Sequence, residues 1–244
     1  MTPVDVVKRF RSDVHDAIVP YLWSDEEAYG YLSAAQEMFC RLTYGIPDSS
    51  SSMTQVPIQT NVPWSTFSDR ILYVNAMFRK SDGREITAAN VGQFKTGAGY
   101  RDDYGFCYNA SVMQATGQVS EYITDMDQCR IRWIRIPQDS DVAQLSVYRL
   151  PTEITVEKVV PLEIPSFHHI YLLWGMEALA YLKKDAETFN AGKASDFKVM
   201  FEDYCALAKT EREKRQDKPY KVKFGGIPWG NSSWGSGRRN YHVG

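Results

Sequence analysis

The sequence predicts an α+β protein: an antiparallel helical bundle drawn from both chain ends, a β-rich unit of sandwich or barrel-like form inserted between them, and an extended carboxy-terminal arm. Three observations carry that reading. Capped, helically spaced apolar stripes occur near both ends; the patterning shifts to short alternating or β-branched stretches between residues 56 and 160; and the last 31 residues show neither period. With 43% hydrophobic and 24% charged residues in 244, the chain has the composition of a folded globular protein, which excludes disordered and fibrous classes.

Thr2 before Pro3 reads as an N-cap followed by proline at the first helical position, and Val4, Val7, Phe10 and Val14 recur at helical spacing. Pro20 ends that helix. Ser24 with Glu27 then makes a capping box, in which serine and glutamate satisfy each other's free backbone amides. Leu32, Ala35, Phe39 and Leu42 form the apolar stripe of a second helix, which Gly45 stops. Residues 1–46 are thus the amino-terminal part of the bundle. The serine-rich stretch 47–55 reads as a flexible polar joint.

Strands are expected at 56–59, 71–79, 106–112, 122–124, 129–136 and 144–150, within an insertion spanning 47–165. The clearest is 129–136, where Arg130, Arg132 and Arg135 interrupt apolar residues before Pro137, so one face is expected to be buried. Residues 96–105 read as a long exposed loop. Helices return in 166–213. Ser166 is a candidate cap for a helix carrying Phe167, Ile170, Leu173, Leu179 and Leu182 to about Lys184, and Phe197, Phe201, Tyr204, Leu207 and Ala208 stripe a fourth.

Reactive chemistry is sparse. Cys40, Cys107, Cys129 and Cys205 are scattered without a C-x-x-C pair and read as small buried apolar residues with free thiols. His168 and His169 are adjacent, about 100° apart on a helix, so they do not share a metal from one face and read as packing or capping groups. No phosphate-binding loop, nucleophile elbow or histidine–carboxylate cluster occurs. Asp102, Asp103, Asp125 and Asp127 are the best metal candidates, and turn solvation accounts for them. The sequence reading therefore assigns no catalytic residue, metal or cofactor. No apolar run approaches the ~18 residues of a membrane span, and the amino terminus lacks a signal-peptide core, so a soluble chain made in a cytoplasm is expected.

The formal charge is −2, but it is divided unevenly. Residues 214–244 hold seven positive side chains against Asp217, a net +6, leaving −8 on the body. Six glycines and five large aromatics occupy the same stretch, with no stripe that could build a core. Tryptophan, tyrosine and arginine dominate binding hot spots, so the stretch reads as an arm that orders on a protein partner. Its anchors are Tyr220, Phe224, Trp229, Trp234, Arg238, Arg239 and Tyr241.

On three sets of residues the sequence resembles the head-to-tail adaptor (connector) proteins of tailed bacteriophages, which dock beneath the portal. In residues 16–41, Tyr21, Leu22 and Trp23 precede the capping serine of a helix carrying Tyr31 to Glu37, similar to that family's first long helix. Ile134 to Pro137 leading through Leu145 to Pro151 resembles the closing strands of its β insertion, and Phe167 to Leu182 with Phe197 to Arg212 resembles its final helices. The resemblance implies a virion structural protein at the head–tail junction, made in the host bacterial cytoplasm. It further implies a homo-oligomeric ring of twelve subunits whose partners are the portal, neighbouring subunits and a tail or nozzle protein. Genomic DNA would pass without sequence-specific binding, along a channel wall that the acidic body would keep from sticking to it. Two alternatives compete: a tail-associated glycan-binding module stacking sugars on exposed Tyr100, Tyr104 and Trp133, and a metal-dependent hydrolase using the aspartates above.

Overall fold

A computed structural model describes residues 1–90, 115–184 and 188–216, together with the backbone of 100–101 and 107–108. Four α-helices and several open sheets make up the described residues, and none of those sheets closes into a barrel. The mixed α+β class is therefore as expected.

Helix α1 spans Pro3–Asp13. The Thr2 hydroxyl accepts from the Asp5 amide at 3.2 Å while the Asp5 carboxylate accepts from the Thr2 amide at 2.8 Å, a reciprocal cap. In α2, Asp25–Leu42, Ser24 and Glu27 do the same at 3.2 and 2.9 Å. Each cap contributes about 1 kcal/mol. Val6, Val7 and Phe10 form the inner face of α1, whereas Val4, expected on that stripe, is exposed. The inner face of α2 is Ala28, Leu32, Ala35 and Phe39.

The carboxy-terminal helices differ more from expectation. Ser166 makes no capping bond; Pro165 occupies the cap position of a 3₁₀ turn, Ser166–Tyr171, and the α-helix proper, α3, is Leu172–Tyr181. Pro165 sets the extended backbone before that turn, and the His168 amide donates to its carbonyl at 3.0 Å. Helix α4, Ala191–Gln216, buries Ala194, Phe201, Cys205 and Ala208, while Leu207 lies on its outer face. Residues from all four helices share one core, with Trp23, Phe10, Leu32, Leu172, Met176 and Phe201 among its large members. A Cβ on Gly175 would stand 3.0 Å from the Ala35 Cβ, so glycine sets the close approach of α3 to α2.

Between them the chain runs through β1 (Ile46–Asp48), a 3₁₀ turn at Ser52–Thr54, β2 (Gln55–Ile58), β3 (Trp64–Thr66), β4 (Ile71–Arg79) and β5 (Thr87–Ala88). It continues through β6 (Tyr100–Arg101), β7 (Cys107–Tyr108), β8 (Thr116–Gly117), β9 (Glu121–Ile123), β10 (Arg130–Trp133), β11 (Ile136–Pro137) and β12 (Asp141–Arg149). The long β12 organises the first sheet. One of its edges pairs antiparallel with β4, and the other pairs with β2 along its first half and β1 along its second. The second sheet has the order β3-β10-β9-β5, with β5 parallel to β9. Val56, Met77 and Leu145 from the first sheet and Tyr122, Ile131 and Trp133 from the second share a separate core.

Two expectations in this region are corrected. The stretch 47–55 is not a flexible joint: Asp48 accepts from the Ser50 and Ser51 amides, each at 3.0 Å, and from Arg149 at 2.6 Å, so its polar residues form a fixed turn. The strand expected over 129–136 is broken into β10 and β11: the Ile134 amide still donates to the Glu121 carbonyl of β9 at 3.2 Å, but the chain bends at Ile134 and Arg135 and passes from the second sheet to a short parallel pairing with β8. Of the strand expected at 106–112, the described part is Cys107–Tyr108, whose backbone pairs with Tyr100–Arg101; this pairing gives the expected loop at 96–105 some strand.

One buried charge in the helical core has a measurable consequence. Glu177 is 4% exposed in the middle of the otherwise apolar α3, and burial, with Asp13 adding to it, pushes its carboxyl up to about 7. A raised carboxyl means that the folded chain holds this proton through the range where the unfolded chain has released it. Stability is therefore lost as pH rises from the ordinary carboxyl value through the raised one, at a cost of about 3 kcal/mol once both states are ionised. Glu177→Gln is expected to stabilise the protein by about 2 kcal/mol in urea titrations at about pH 8.5 and to change little at about pH 5.

Candidate functional site

The seven anchor residues assigned to the arm, Tyr220 to Tyr241, lie outside the described residues, as do Asp102, Asp103 and Tyr104. The structure does describe the root from which that segment departs. Helix α4 continues through Lys214 and Arg215 to Gln216, and its last turns are fastened to the body by cations set over rings. The Lys209 ammonium stands 4.7 Å from the Tyr44 ring centre, and the Arg212 guanidinium 4.8 Å from that of Tyr148. Arg215 approaches the Phe167 ring at 6.0 Å. Such pairs contribute about 0.5–1 kcal/mol at exposed sites. Arg212 also donates to the Thr43 carbonyl at 2.8 Å and to the Gly45 carbonyl, and Glu213 accepts from the Tyr44 hydroxyl at 2.8 Å.

The receiving backbone has its own local cause. Tyr44 and Gly45 both adopt left-handed conformations, φ 71° and 76°, which end α2 and turn its last carbonyls toward α4. At Gly45 a Cβ would lie 2.8 Å from the Arg149 carbonyl oxygen, so any side chain there would force β12 away.

Beside this root an apolar groove of about 370 Å³ opens between the ends of α2 and α4 and the 3₁₀ turn. Phe39, Ile46, Pro47, Pro165, Phe167 and His168 wall it, and Arg212 and Arg215 stand on its rim. His168 packs at 4.7 Å from the Phe39 ring and lies 2.7 Å from the Tyr204 hydroxyl through Nδ1. Burial holds its pKa below the usual histidine value and pushes the Tyr204 phenol up to about 12, so the pair is a neutral packing contact at physiological pH. His169 is buried, with its ring nitrogens 2.8 Å from the Ile164 carbonyl and 3.0 Å from that of Met1. Both histidines thus sit in the packing roles expected of them.

On the other side of the root, Tyr73 is 61% exposed and stacks on its cross-strand partner Tyr148 at 6.3 Å. Together with Tyr44 and Leu72 these rings border a second, shallower depression of about 540 Å³. Sequence reasoning passed over this tyrosine surface. Strict alternation in β4 would put Tyr73 on the inner face with Ile71, Met77 and Arg79; a register shift in the pairing with β12 turns it outward beside Tyr148, so the sequence pattern carried no signal for it.

Of the residues assigned to the alternative functions, the structure describes the side chains of Asp125, Asp127 and Trp133. Trp133 is fully buried and donates from Nε1 to the Ser65 hydroxyl at 3.0 Å, so it cannot serve as a sugar-stacking platform; its alternation with Arg132 turns it into the β core. Asp127 accepts from Arg130 at 2.9 Å and from the Gln128 amide, as a turn aspartate does. Among the described residues no three histidine, cysteine, aspartate or glutamate side chains cluster to hold a metal ion. Burial, first among the causes in each case, pushes the Cys40 and Cys205 thiols up to about 12, which leaves both protonated and unreactive. Among the described residues no helix is long and apolar enough to cross a membrane. No protein-family model matches the chain, and no curated protein searched against it matches either.

Proposed function

We propose that this chain is a structural virion protein: a head-to-tail adaptor whose subunits form a ring between the portal of a DNA-filled capsid and the tail. In this reading the helices form an antiparallel bundle that packs side by side with those of neighbouring subunits. The β-rich insertion faces the tail or the outside, and the basic, tryptophan-bearing arm docks on the portal. The protein acts by binding and performs no catalysis.

The observation that carries this reading is the division of the core. Helices from both chain ends share one apolar cluster, and the strands between them bury a second of their own. That is the order of parts on which the resemblance to the adaptor family rests. The fastened end of α4 supports it further, because an arm that binds a partner transmits force to the ring only if its root is fixed. The reading places the protein in the virion, at the head–tail junction. It makes the portal, copies of the chain (twelve in a ring) and a tail or nozzle protein its partners, with DNA passing through unbound.

Mass photometry of the purified protein, alone and mixed with the portal of the same phage, tests the reading. A ring-sized complex with portal is expected. Absence of any complex at saturating portal would return the chain to the glycan-binding and enzymatic alternatives.

A further inference from the structure

We propose that copies of this chain associate head to tail, the apolar turn between α1 and α2 of one copy seating in the groove at the opposite end of α2 of the next. The turn is a preformed knob. Ile18 and Val19 are 83% and 72% exposed, and Leu22 is exposed beside them. A contiguous apolar projection of this kind marks an interaction site more often than a tolerated surface.

Its shape is held from behind rather than by the apolar residues themselves. The buried Asp16 carboxylate accepts from the Leu22 amide at 2.7 Å and the Trp23 amide at 3.3 Å, and pairs with the buried Arg11 at 2.8 Å. Arg11 also donates to the Trp23 carbonyl at 3.0 Å and to Asp25 at 2.7 Å, and its guanidinium lies 3.7 Å over the Tyr21 ring. A projection fixed in this way loses little conformational freedom on docking.

The receiving site is the groove walled by Phe39, Ile46, Pro165 and Phe167. An apolar cavity of ~150 Å³ takes a benzene molecule, so about 370 Å³ has room for two aliphatic side chains. The knob cannot fill the groove of its own subunit. It precedes the first turn of α2, whereas the groove lies at that helix's last turn, and 18 residues separate the two by about 27 Å.

The charges beside the two surfaces are complementary. Exposed Glu26 begins α2 next to the knob, beside an Asp25 that Arg11 partly offsets, while Arg212, Lys214 and Arg215, against Glu213, end α4 next to the groove. Glu211 also lines the groove, and Glu163 there is held by Arg149 and Arg70, so the rim is basic on balance. Two different patches on one chain make a heterologous contact, which propagates into a closed ring or an open filament rather than a two-fold dimer. This contact does not depend on a portal.

The experiment uses the full chain with no portal present. Sedimentation velocity is run on wild type, on the knob variant Ile18→Asp/Val19→Asp, on the groove variant Phe167→Asp/Arg215→Glu, and on their equimolar mixture. Wild type is expected to form oligomers of more than two chains as concentration rises, and each variant to remain monomeric. The mixture is expected to give a two-chain species and nothing larger, because it offers one intact knob for one intact groove. Wild type that stays monomeric up to its solubility limit overturns the proposal, as does either variant that still oligomerises or a mixture that stays monomeric. The substituted side chains are more than half exposed or lie at the rim, so the circular-dichroism melts should match wild type. If a variant melts early, Ile18→Ser/Val19→Ser or Phe167→Ser replaces it with the same outcomes required. Portal binding by the arm is measured separately, so failure here leaves the adaptor reading standing.

Discussion

Deleting residues 219–244 is expected to abolish binding to the portal while leaving the body folded. The deleted segment carries all seven proposed anchors, and four of its side chains, Lys221, Lys223, Arg238 and Arg239, are cationic with no acidic residue among them. Ordering a glycine-rich segment on a partner has an entropic cost, so a single arm is expected to bind weakly. Arms displayed together on one ring act at high effective concentration, which raises overall affinity by roughly 10²–10⁴. The truncated ring should therefore lose at least ~100-fold in affinity for portal, measured by surface plasmon resonance on immobilised portal.

The body should survive the deletion for a specific reason. The described residues bury two apolar clusters of their own, and Arg212 ties α4 to the Thr43 and Gly45 carbonyls before the deleted segment begins. Unchanged affinity would remove the arm from portal docking. Loss of the cooperative melt would mean instead that the tail packs on its own body.

The parts of this fold that could be read from sequence are those whose causes are local. The Ser24 capping box, the stripe of α2 and the nine residues of β4 each depend on neighbours within one turn or along one strand, and each occurs where its pattern places it. The misread parts depend on distant partners. The serines after Asp48 have the composition of a linker, yet their amides close on a carboxylate whose other partner, Arg149, is 101 residues away. Leu207 satisfies the helical period of α4 but is exposed, because the buried face is set by where α2 and α3 lie and turns toward Phe201, Cys205 and Ala208. Trp133 follows the same logic in reverse: an aromatic between arginines looks like a surface residue until the second sheet closes over it. At the candidate site, the arm's basic and aromatic character was legible from composition, whereas the knob, the groove and the stacked tyrosines are made by tertiary placement.

Arg149→Met is expected to destabilise the protein more than any surface change, by about 3 kcal/mol at neutral pH. Arg149 ends β12 at the boundary between the two cores. Its Nε donates to Asp48 at 2.6 Å and its Nη2 to Glu163 at 2.9 Å, with Nη1 reaching Glu163 at 3.1 Å and the Leu150 carbonyl at 3.2 Å. One guanidinium thus joins β1, β12 and the return segment that carries Glu163 back to the helices. Burial alone would raise the Asp48 carboxyl, but hydrogen bonds from Ser51, Arg149 and Ser50 outweigh it and hold the group well below the usual carboxylate range. At Glu163 burial again works to raise the carboxyl, and the bonds from Arg149 and Thr152 outweigh it and hold the group below its ordinary value. Both groups are depressed in the folded state, so their contribution is complete above the unfolded carboxyl values near ~4 and is lost as pH falls through the folded ones. Methionine keeps much of the volume but leaves Asp48 with its serine amides only and Glu163 with Arg70 and Thr152. The gap between wild type and variant in urea denaturation should therefore be widest near neutral pH and narrow as both carboxylates take up protons. A gap below about 1 kcal/mol at neutral pH would reduce this network to the weight of an ordinary surface pair, and apolar contacts such as Ile46 and Leu150 against the helical core would then have to hold the two parts together.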